Sequence, residues 1–237
     1  MLRRFGATIW ILVGAAACTA VNVVPTNCWV GLHGEYCLVT AAGGDPGAAA
    51  VEDAARIIHE RINHIGLADF EVRTRSDGVI EIDLPPITDA TEVRGLIEPT
   101  GDIEFVPVPA GETVEVGDAI PSAAVALVGR ESVTSVSPGS TMTGDHAVDI
   151  ALTAEAGEIL NRHSSEHIGE QLAIVMDGTV LTAPLILAPL GHLFQVSAAD
   201  ATVVNRLVTI LRLPPLPGTL EELTFGPFTP TGCVPDR

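Results

Sequence analysis

Residues 171–184 spell QLAIVMDGTVLTAP, and this segment indicates a β-hairpin. An apolar run from Leu172 to Met176 leads into Asp177-Gly178, a dipeptide that tolerates positive φ at both centres of a type I′ turn. A second apolar run follows and ends at Pro184, which has no N–H to donate to a sheet. The sequence therefore predicts two antiparallel strands joined by a tight turn at Asp177-Gly178.

The chain before residue 109 has the pattern of a small α+β unit. Apolar residues at helical spacing predict a helix that Gly66 ends, and two alternating runs around Ser76-Asp77-Gly78 predict another hairpin. The order βαββαβ is the ferredoxin-like pattern, in which two helices cover one face of an antiparallel sheet. The predicted strands are Tyr36–Thr40, Phe70–Arg75, Val79–Leu84 and Ile103–Val108, and the helices are Val51–Ile65 and Asp89–Ile97.

The second half predicts another α+β unit. Residues 109–145 are rich in Gly, Pro, Ser and Thr and predict short strands and loops; periodicity resumes after them. The predicted elements are a strand at Val148–Leu152, a helix capped by Thr153, the hairpin, a strand at Leu193–Val196, a helix capped by Ser197 and Asp200 that ends before Pro214-Pro215, and a strand at Leu220–Phe225. We therefore predict an α+β fold with a ferredoxin-like base (49–108), a second unit (109–214), and a strand and tail (215–237) that return toward the first strand.

The hairpin segment resembles the "LAIVLDGKVISAP" signature in the large extracytoplasmic domain of SecD, a subunit of Sec protein export. The resemblance continues in order over roughly residues 50–227. Arg61–Leu67 resembles "RVNALGV", Glu81–Pro85 "VQLPG", Asp102–Phe105 "TLEF", Leu211–Pro217 "LRSGALPAP" and Thr224–Pro227 "TVGP". The resemblance implies a P1 base subdomain that carries an inserted P1 head subdomain, and identifies Asp177, Gly178 and Pro184 as the family-signature hairpin.

The same resemblance implies a role in protein export and no catalysed reaction. Its expected partners are Sec translocon components and unfolded secreted polypeptides, and it implies no catalytic residue and no cofactor. The family's opening "GLDLRGG" survives only as Gly31-Leu-His-Gly34, and no helix supplies the charges of a proton path, so we do not expect motor activity. The alternative is a structural or binding lipoprotein that uses the fold for an unrelated partner.

The N-terminus predicts export from the cytoplasm. Arg3-Arg4 and the apolar run Phe5–Ala17 read as a leader (1–17), and the small residues before Cys18 favour lipid attachment at that cysteine. Two alternatives stay open: ordinary cleavage after Ala17, and an uncleaved anchor over residues 5–24. All three place residues 18–48, a tether with the first strand, and the rest of the chain outside the cytoplasm. We expect attachment to the cell membrane by the lipid or by the uncleaved anchor.

Three further cysteines would lie in an oxidising compartment. Residues 28–37 read CWVGLHGEYC, with Gly31 and Gly34 placed to flank a turn, so we favour a Cys28–Cys37 disulfide with Cys233 left over. The alternative is a Cys28–Cys233 bridge with Cys37 buried.

Charge and motifs exclude several function classes. The formal net charge is −18, which disfavours nucleic-acid binding. His163-Ser-Ser-Glu-His167 matches H-x-x-E-H, an inverted zinc-peptidase motif, but it ends a short helix and no third ligand follows on another helix. The sequence therefore predicts no metal site, no cofactor and no enzymatic activity.

Overall fold

The structure is a computed structural model, and it describes residues 31–40, 43–86, 90–120, 124–197 and 200–228. In these ranges the chain forms ten strands and four α-helices. The strands are β1 Gly31–Val39, β2 Glu71–Thr74, β3 Val79–Leu84, β4 Ile103–Pro107, β5 Val133–Ser140, β6 His146–Leu152, β7 Leu172–Met176, β8 Thr179–Thr182, β9 Leu193–Ser197 and β10 Thr219–Phe228. The helices are α1 Gly47–His64, α2 Ala90–Ile97, α3 Ala154–Glu166 and α4 Ala201–Arg212.

The first sheet belongs to the base and has the order β10-β1-β3-β2, antiparallel throughout. The apolar faces of α1 and α2 pack on it around Tyr36, Ile58 and Ile82, which are fully buried. Gly34 is needed in β1 because a Cβ there would lie 2.6 Å from Cδ2 of Phe225 on the neighbouring strand β10. The last strand therefore returns to the first, as the sequence predicts.

Strand β4 corrects one detail of the predicted base. We expected Ile103–Val108 to complete the first sheet, but β4 pairs with β7 in a separate sheet of order β4-β7-β8. The position beside β1 that βαββαβ order gives to the fourth strand is filled by β10. The ferredoxin-like arrangement is thus closed by a strand from the far end of the chain, and everything between α2 and β10 is inserted into it.

The third sheet, β5-β6-β9, forms the body of the head together with α3 and α4. One continuous core joins it to the inner face of β4, where the rings of Phe105 and Phe194 lie 5.1 Å apart. The opposite face of the β4-β7-β8 sheet has a smaller core around Val106, Ala173 and Val180.

Most local predictions for the helices and hairpins are confirmed. Gly66 follows α1 with φ 74°, and Thr153 and Asp200 cap α3 and α4 by accepting backbone N–H bonds at 3.3 Å and 2.9 Å. Ser197 is the last residue of β9 rather than a cap. Asp177 and Gly178 have φ of 52° and 78°, so the predicted tight turn between β7 and β8 is present.

The predicted turn at Gly31–Gly34 is absent. This segment, including His33, is part of β1 and pairs with β3 and β10. His33 lies within hydrogen-bond distance of Asp83 on β3, with 2.6 Å between Nδ1 and Oδ1. Within the ranges described above, no helix combines the length and apolar character required to cross a membrane.

Candidate functional site

The base and head meet at a joint, defined here as residues 99–102, which connect α2 to β4. Arg61 holds this segment from the base side. It is fully buried in the last turn of α1, and its guanidinium donates to the carbonyls of Leu96 (3.3 Å), Ile97 (3.2 Å) and Pro99 through Nη1 and of Thr100 (3.0 Å) through Nη2. Burial lowers the pKa of Arg61 to about 10, against the attraction of Asp177, which acts in the opposite direction. Arg61 therefore caps the end of α2 and fixes the start of the joint.

Asp177 holds the same segment from the head side. Its carboxylate accepts hydrogen bonds from the Thr100 hydroxyl, from the Asp102 N–H at 3.2 Å and from the Gly101 N–H at 3.4 Å. Its own N–H donates to the Asp102 carbonyl at 3.0 Å. The turn of the signature hairpin is thus built to hold the joint, which explains why an aspartate with positive φ is used there.

The segment that leads from the head back to the base also contacts the joint. The Leu216 N–H donates to the Thr100 carbonyl at 2.9 Å, and Arg130 donates to the carbonyls of Leu211 (2.6 Å) and Leu213 (3.0 Å) at the end of α4. Burial raises the pKa of Asp102, with Asp177 adding to the effect. Entry into the head and exit from it are therefore fixed at one place, by groups from both subdomains.

An exposed apolar segment of the head, here called the apolar loop, is formed by residues 183–192, which connect β8 to β9 and read APLILAPLGH. It contains no acidic residue and no arginine. Leu185 is 56% exposed and Leu187 82%, and beside the loop Ile168 is 53% and Leu193 69% exposed. Exposed apolar side chains that are concentrated in one segment commonly mark a binding surface.

The apolar loop is held firmly although its side chains face solvent. The backbone of Ile186 bonds in both directions to Gly169 (2.9 Å) and Glu170 (2.8 Å), and the Ile186 side chain is buried. At the other end, the Leu190 N–H donates to the Ser164 hydroxyl at 2.8 Å, and the Asn161 side chain donates to the Leu190 carbonyl at 3.0 Å. A binding surface built on this loop needs little ordering before it meets a partner.

These contacts give the H-x-x-E-H segment a structural role. Its fully buried member is Ser164, the residue that holds the apolar loop. The rings of His163 and His167 stack with 4.0 Å between centroids, and burial followed by the nearby His167 lowers the pKa of His163. In the part of the chain that the structure describes, no three His, Cys, Asp or Glu side chains are grouped so that they could hold a metal ion.

One of the four cysteines, Cys37, lies within the described residues. Cys37 is buried in β1 and disulfide-bonded, whereas Cys18, Cys28 and Cys233 lie outside the described residues. The alternative with an unpaired Cys37 is therefore wrong. The extended strand separates Gly31 from Cys37 by about 20 Å, so the turn at Gly31–Gly34 that favoured Cys28 as the partner is absent. The identity of the partner stays a prediction, as does lipid attachment at Cys18.

A concave surface lies between base and head. A cleft of about 430 Å³ opens where the end of α1 and α2 face α4 and β5, a volume typical of ligand-binding clefts. Its lining includes Ile65, Leu96, Pro138, Val208, Arg206 and Arg212. The arginines give this cleft a polar character that distinguishes it from the neutral apolar loop.

Two family models match the chain in succession. Residues 51–110 match the N-terminal part of the P1 domain of protein translocase subunit SecDF, and residues 112–218 match the SecDF P1 head subdomain. The architecture of a base sheet with an inserted head agrees with this pair of matches. The chain therefore belongs to the SecD/SecDF family and carries its P1 domain.

Individual relatives support the assignment at low identity. The chain is 26% identical over 183 residues to the SecD subunit of Acidaminococcus fermentans and 23% identical over 232 residues to that of Dictyoglomus turgidum. These matches cover 75% and 95% of this chain but only 40% and 52% of the relatives, so the chain spans about half their length or less.

Solved structures share the fold. A crystal structure of SecDF in the super-membrane-facing form matches 89% of this chain and 33% of that one, with a TM-score of 0.70 and 21% identity. A structure of SecDF, described as a membrane component that enhances protein export, matches 81% of this chain and 98% of that one, with a TM-score of 0.64 and 20% identity.

Sequence reasoning missed two features of this site. The sequence indicated Arg61 only as the first residue of the segment that resembles "RVNALGV". No local pattern distinguishes a buried arginine from an exposed one on a charged helix. The apolar loop could have been found from its composition, since ten residues without a charge lie there between two strands of a strongly acidic chain.

Proposed function

We propose that this protein is an extracytoplasmic, membrane-attached component of Sec-dependent protein export that binds unfolded polypeptide with its P1 head and catalyses no reaction. Attachment through a lipid on Cys18 belongs to the proposal. Its expected partners are translocon components, in keeping with the names of its relatives.

The exposed apolar loop is the observation that carries the proposal. An unfolded polypeptide presents apolar side chains that a native protein hides, and burying one leucine side chain contributes about 1.5–3 kcal/mol. Leu185 and Leu187 offer this contact without a charged neighbour inside the loop. A surface of this kind would discriminate by folding state rather than by sequence.

The net charge of −18 adds a preference among clients. Outside the apolar loop, an acidic surface favours client segments that carry lysine or arginine and repels acidic ones, more strongly at low ionic strength. Salt should therefore weaken the binding of basic clients while leaving the apolar contribution in place.

The test is a titration of the full chain with a labelled, permanently unfolded polypeptide and with the same polypeptide in its native state. We expect binding of the unfolded form alone. The double variant Leu185→Asp/Leu187→Asp should weaken it by at least ~10-fold, since two leucine contacts are lost. Val125→Asp is the matched control, because Val125 is 79% exposed and apolar but lies outside the loop.

Three outcomes would contradict the proposal. Equal binding of both client forms, or equal loss in Val125→Asp, would remove the role of the loop. Capture of envelope proteins unrelated to export in place of translocon components would favour the unrelated-partner alternative. Peptide-bond cleavage that His163→Ala abolishes would show that the protein is an enzyme.

A further inference from the structure

We propose that the outer edge of β9 is a strand-addition site, at which an extended segment of an unfolded client pairs as a fourth strand of the β5-β6-β9 sheet. This inference rests on the proposed function and specifies how the client is held: by main-chain hydrogen bonds at β9, next to the apolar loop.

The register of β9 shows which backbone groups face outward. β9 pairs with β6 so that Phe194 lies opposite Ile150 and Gln195 opposite Asp149, and the Leu152 N–H donates to the His192 carbonyl at 2.8 Å just before the strand. Hydrogen-bonded and non-hydrogen-bonded pairs alternate along an antiparallel ladder. Phe194 and Val196 therefore bond to β6, whereas the N–H and C=O groups of Leu193, Gln195 and Ser197 point away from it.

No hydrogen bond from the described part of the chain occupies these outward groups. Among the described residues, no backbone or side-chain group forms a hydrogen bond to the main chain of Leu193, Gln195 or Ser197 on the outer side of β9. The three residues are exposed, and Leu193 is 69% exposed. Three consecutive outward positions can pair with a client strand of about five residues.

The other five sheet edges in the described ranges are protected. β5 has Pro138 at an outward position and its Val136 carbonyl accepts from Arg212 at 2.9 Å. β4 bonds to Leu127 and Val128, and β8 to residues 117–120. β2 carries Glu71 and Arg73, and β10 carries Glu221, Glu222 and Pro227. Proline, charge and covering segments are the usual devices that keep sheet edges from pairing with other chains.

β9 has none of these devices. Its sequence, LFQVS, contains no charge and no proline, and it has the alternation of a strand that is buried on one face. An unprotected edge beside an exposed apolar loop is what strand addition requires, because main-chain bonds supply affinity and nearby pockets or patches contact alternate side chains.

The charge of the molecule favours a client over a second copy of this chain. Two copies would each contribute −18, and their mutual repulsion opposes edge-to-edge pairing, whereas a basic or neutral client meets no such barrier. Main-chain recognition also suits a protein that must accept many sequences, since every residue except proline presents the same donor and acceptor.

The test measures how tightly the full chain binds a fluorescein-labelled nonapeptide in which threonine and valine alternate. Gln195→Pro removes one outward N–H without removing a bond to β6, and Gln195→Ala removes the same side chain but keeps the N–H. We expect Gln195→Pro to weaken binding by ~10-fold or more and Gln195→Ala by less than ~2-fold. On the unaltered protein, the same peptide N-methylated throughout should bind at least ~10-fold more weakly.

The comparison of the N-methylated with the unmodified peptide uses the unaltered protein, so it does not depend on the folding of a variant. Equal affinity of the N-methylated and unmodified peptides, or of Gln195→Pro and Gln195→Ala when both show the parent's circular dichroism, would overturn the inference. So would a dimer of the unaltered chain that Gln195→Pro dissociates, since the edge would then hold a second copy. If the Leu185→Asp/Leu187→Asp variant loses client binding while Gln195→Pro keeps it, the proposed function stands and strand addition fails. If no unfolded client binds the unaltered chain, the proposed function itself fails.

Discussion

Replacing Arg61 with methionine tests whether the base and head are joined as described. The guanidinium donates to four carbonyls, those of Leu96, Ile97, Pro99 and Thr100, and methionine fills similar space without a donor. Nη1 shares its two hydrogens among three of these carbonyls, so three N–H groups make the four contacts. Hydrogen bonds from a charged donor contribute about 1.5 kcal/mol each at the low end, so about 4.5 kcal/mol is lost. Burial of the guanidinium, which lowers its pKa to about 10, costs about 3 kcal/mol that the variant no longer bears. The net expectation is a decrease of about 1.5 kcal/mol in the free energy of unfolding.

Urea unfolding followed by circular dichroism measures this decrease, and the same helix provides a matched control. Arg56 is exposed on α1 and pairs with the exposed residues Asp53 and Glu60, so Arg56→Met should cost no more than about 0.5 kcal/mol. Protease cleavage within residues 99–102 should also accelerate in Arg61→Met and not in Arg56→Met. Equal stability of the two variants would refute the role of Arg61 at the joint.

Three further predictions concern the base, the hairpin and the N-terminus. The hydrogen bond with Asp83 raises the pKa of His33, and Glu35 adds to the effect. The stabilisation that protonated His33 gives the fold is therefore present below about pH 6.5 and is lost as the pH rises through the raised pKa. His33→Gln should destabilise the protein more at pH 5.5 than at pH 8.5, and an equal effect at both pH values in urea unfolding would contradict this. Gly178→Val should cost about 1–3 kcal/mol because φ is 78° while no atom lies within 4 Å of the added Cβ, and Gly178→Asn should cost less; a Val variant that melts like the parent would refute it. Mass spectrometry of membrane-extracted protein should find a diacylated N-terminal Cys18, whereas an intact Met1 or a free N-terminus beyond Cys18 would exclude it.

Features that depend on local chemistry could be predicted from the sequence. The turn at Asp177-Gly178 and the helix end at Gly66 follow from residues that accept positive φ, and the cap at Thr153 follows from a hydroxyl placed before an apolar helix face. The family resemblance added the order of the two subdomains. Each of these inferences uses contacts between residues that are near one another in the chain.

Features that depend on distant partners could not be predicted. Ile103–Val108 reads as a strand in either sheet, and only its pairing with β7 decides which sheet it joins. Gly31-Leu-His-Gly34 reads as a turn. Position 34 is a glycine, however, because Phe225, nearly two hundred residues away in the chain, packs on it and leaves no room for a side chain. The open edge of β9 is likewise visible only when every other sheet edge has been located.

Site-specific photocrosslinking to a client held in mid-export tests most directly that unfolded polypeptide binds the head at the apolar loop. The photoreactive residue would replace Leu187 in the loop, Ile65 in the cleft between base and head, or Val125 as the exposed control, in cells that produce the full chain. The account predicts crosslinks to the client from position 187 that disappear when the client has folded, and few from positions 65 and 125. Crosslinks from the cleft alone, or equal yields from all three positions, would contradict it.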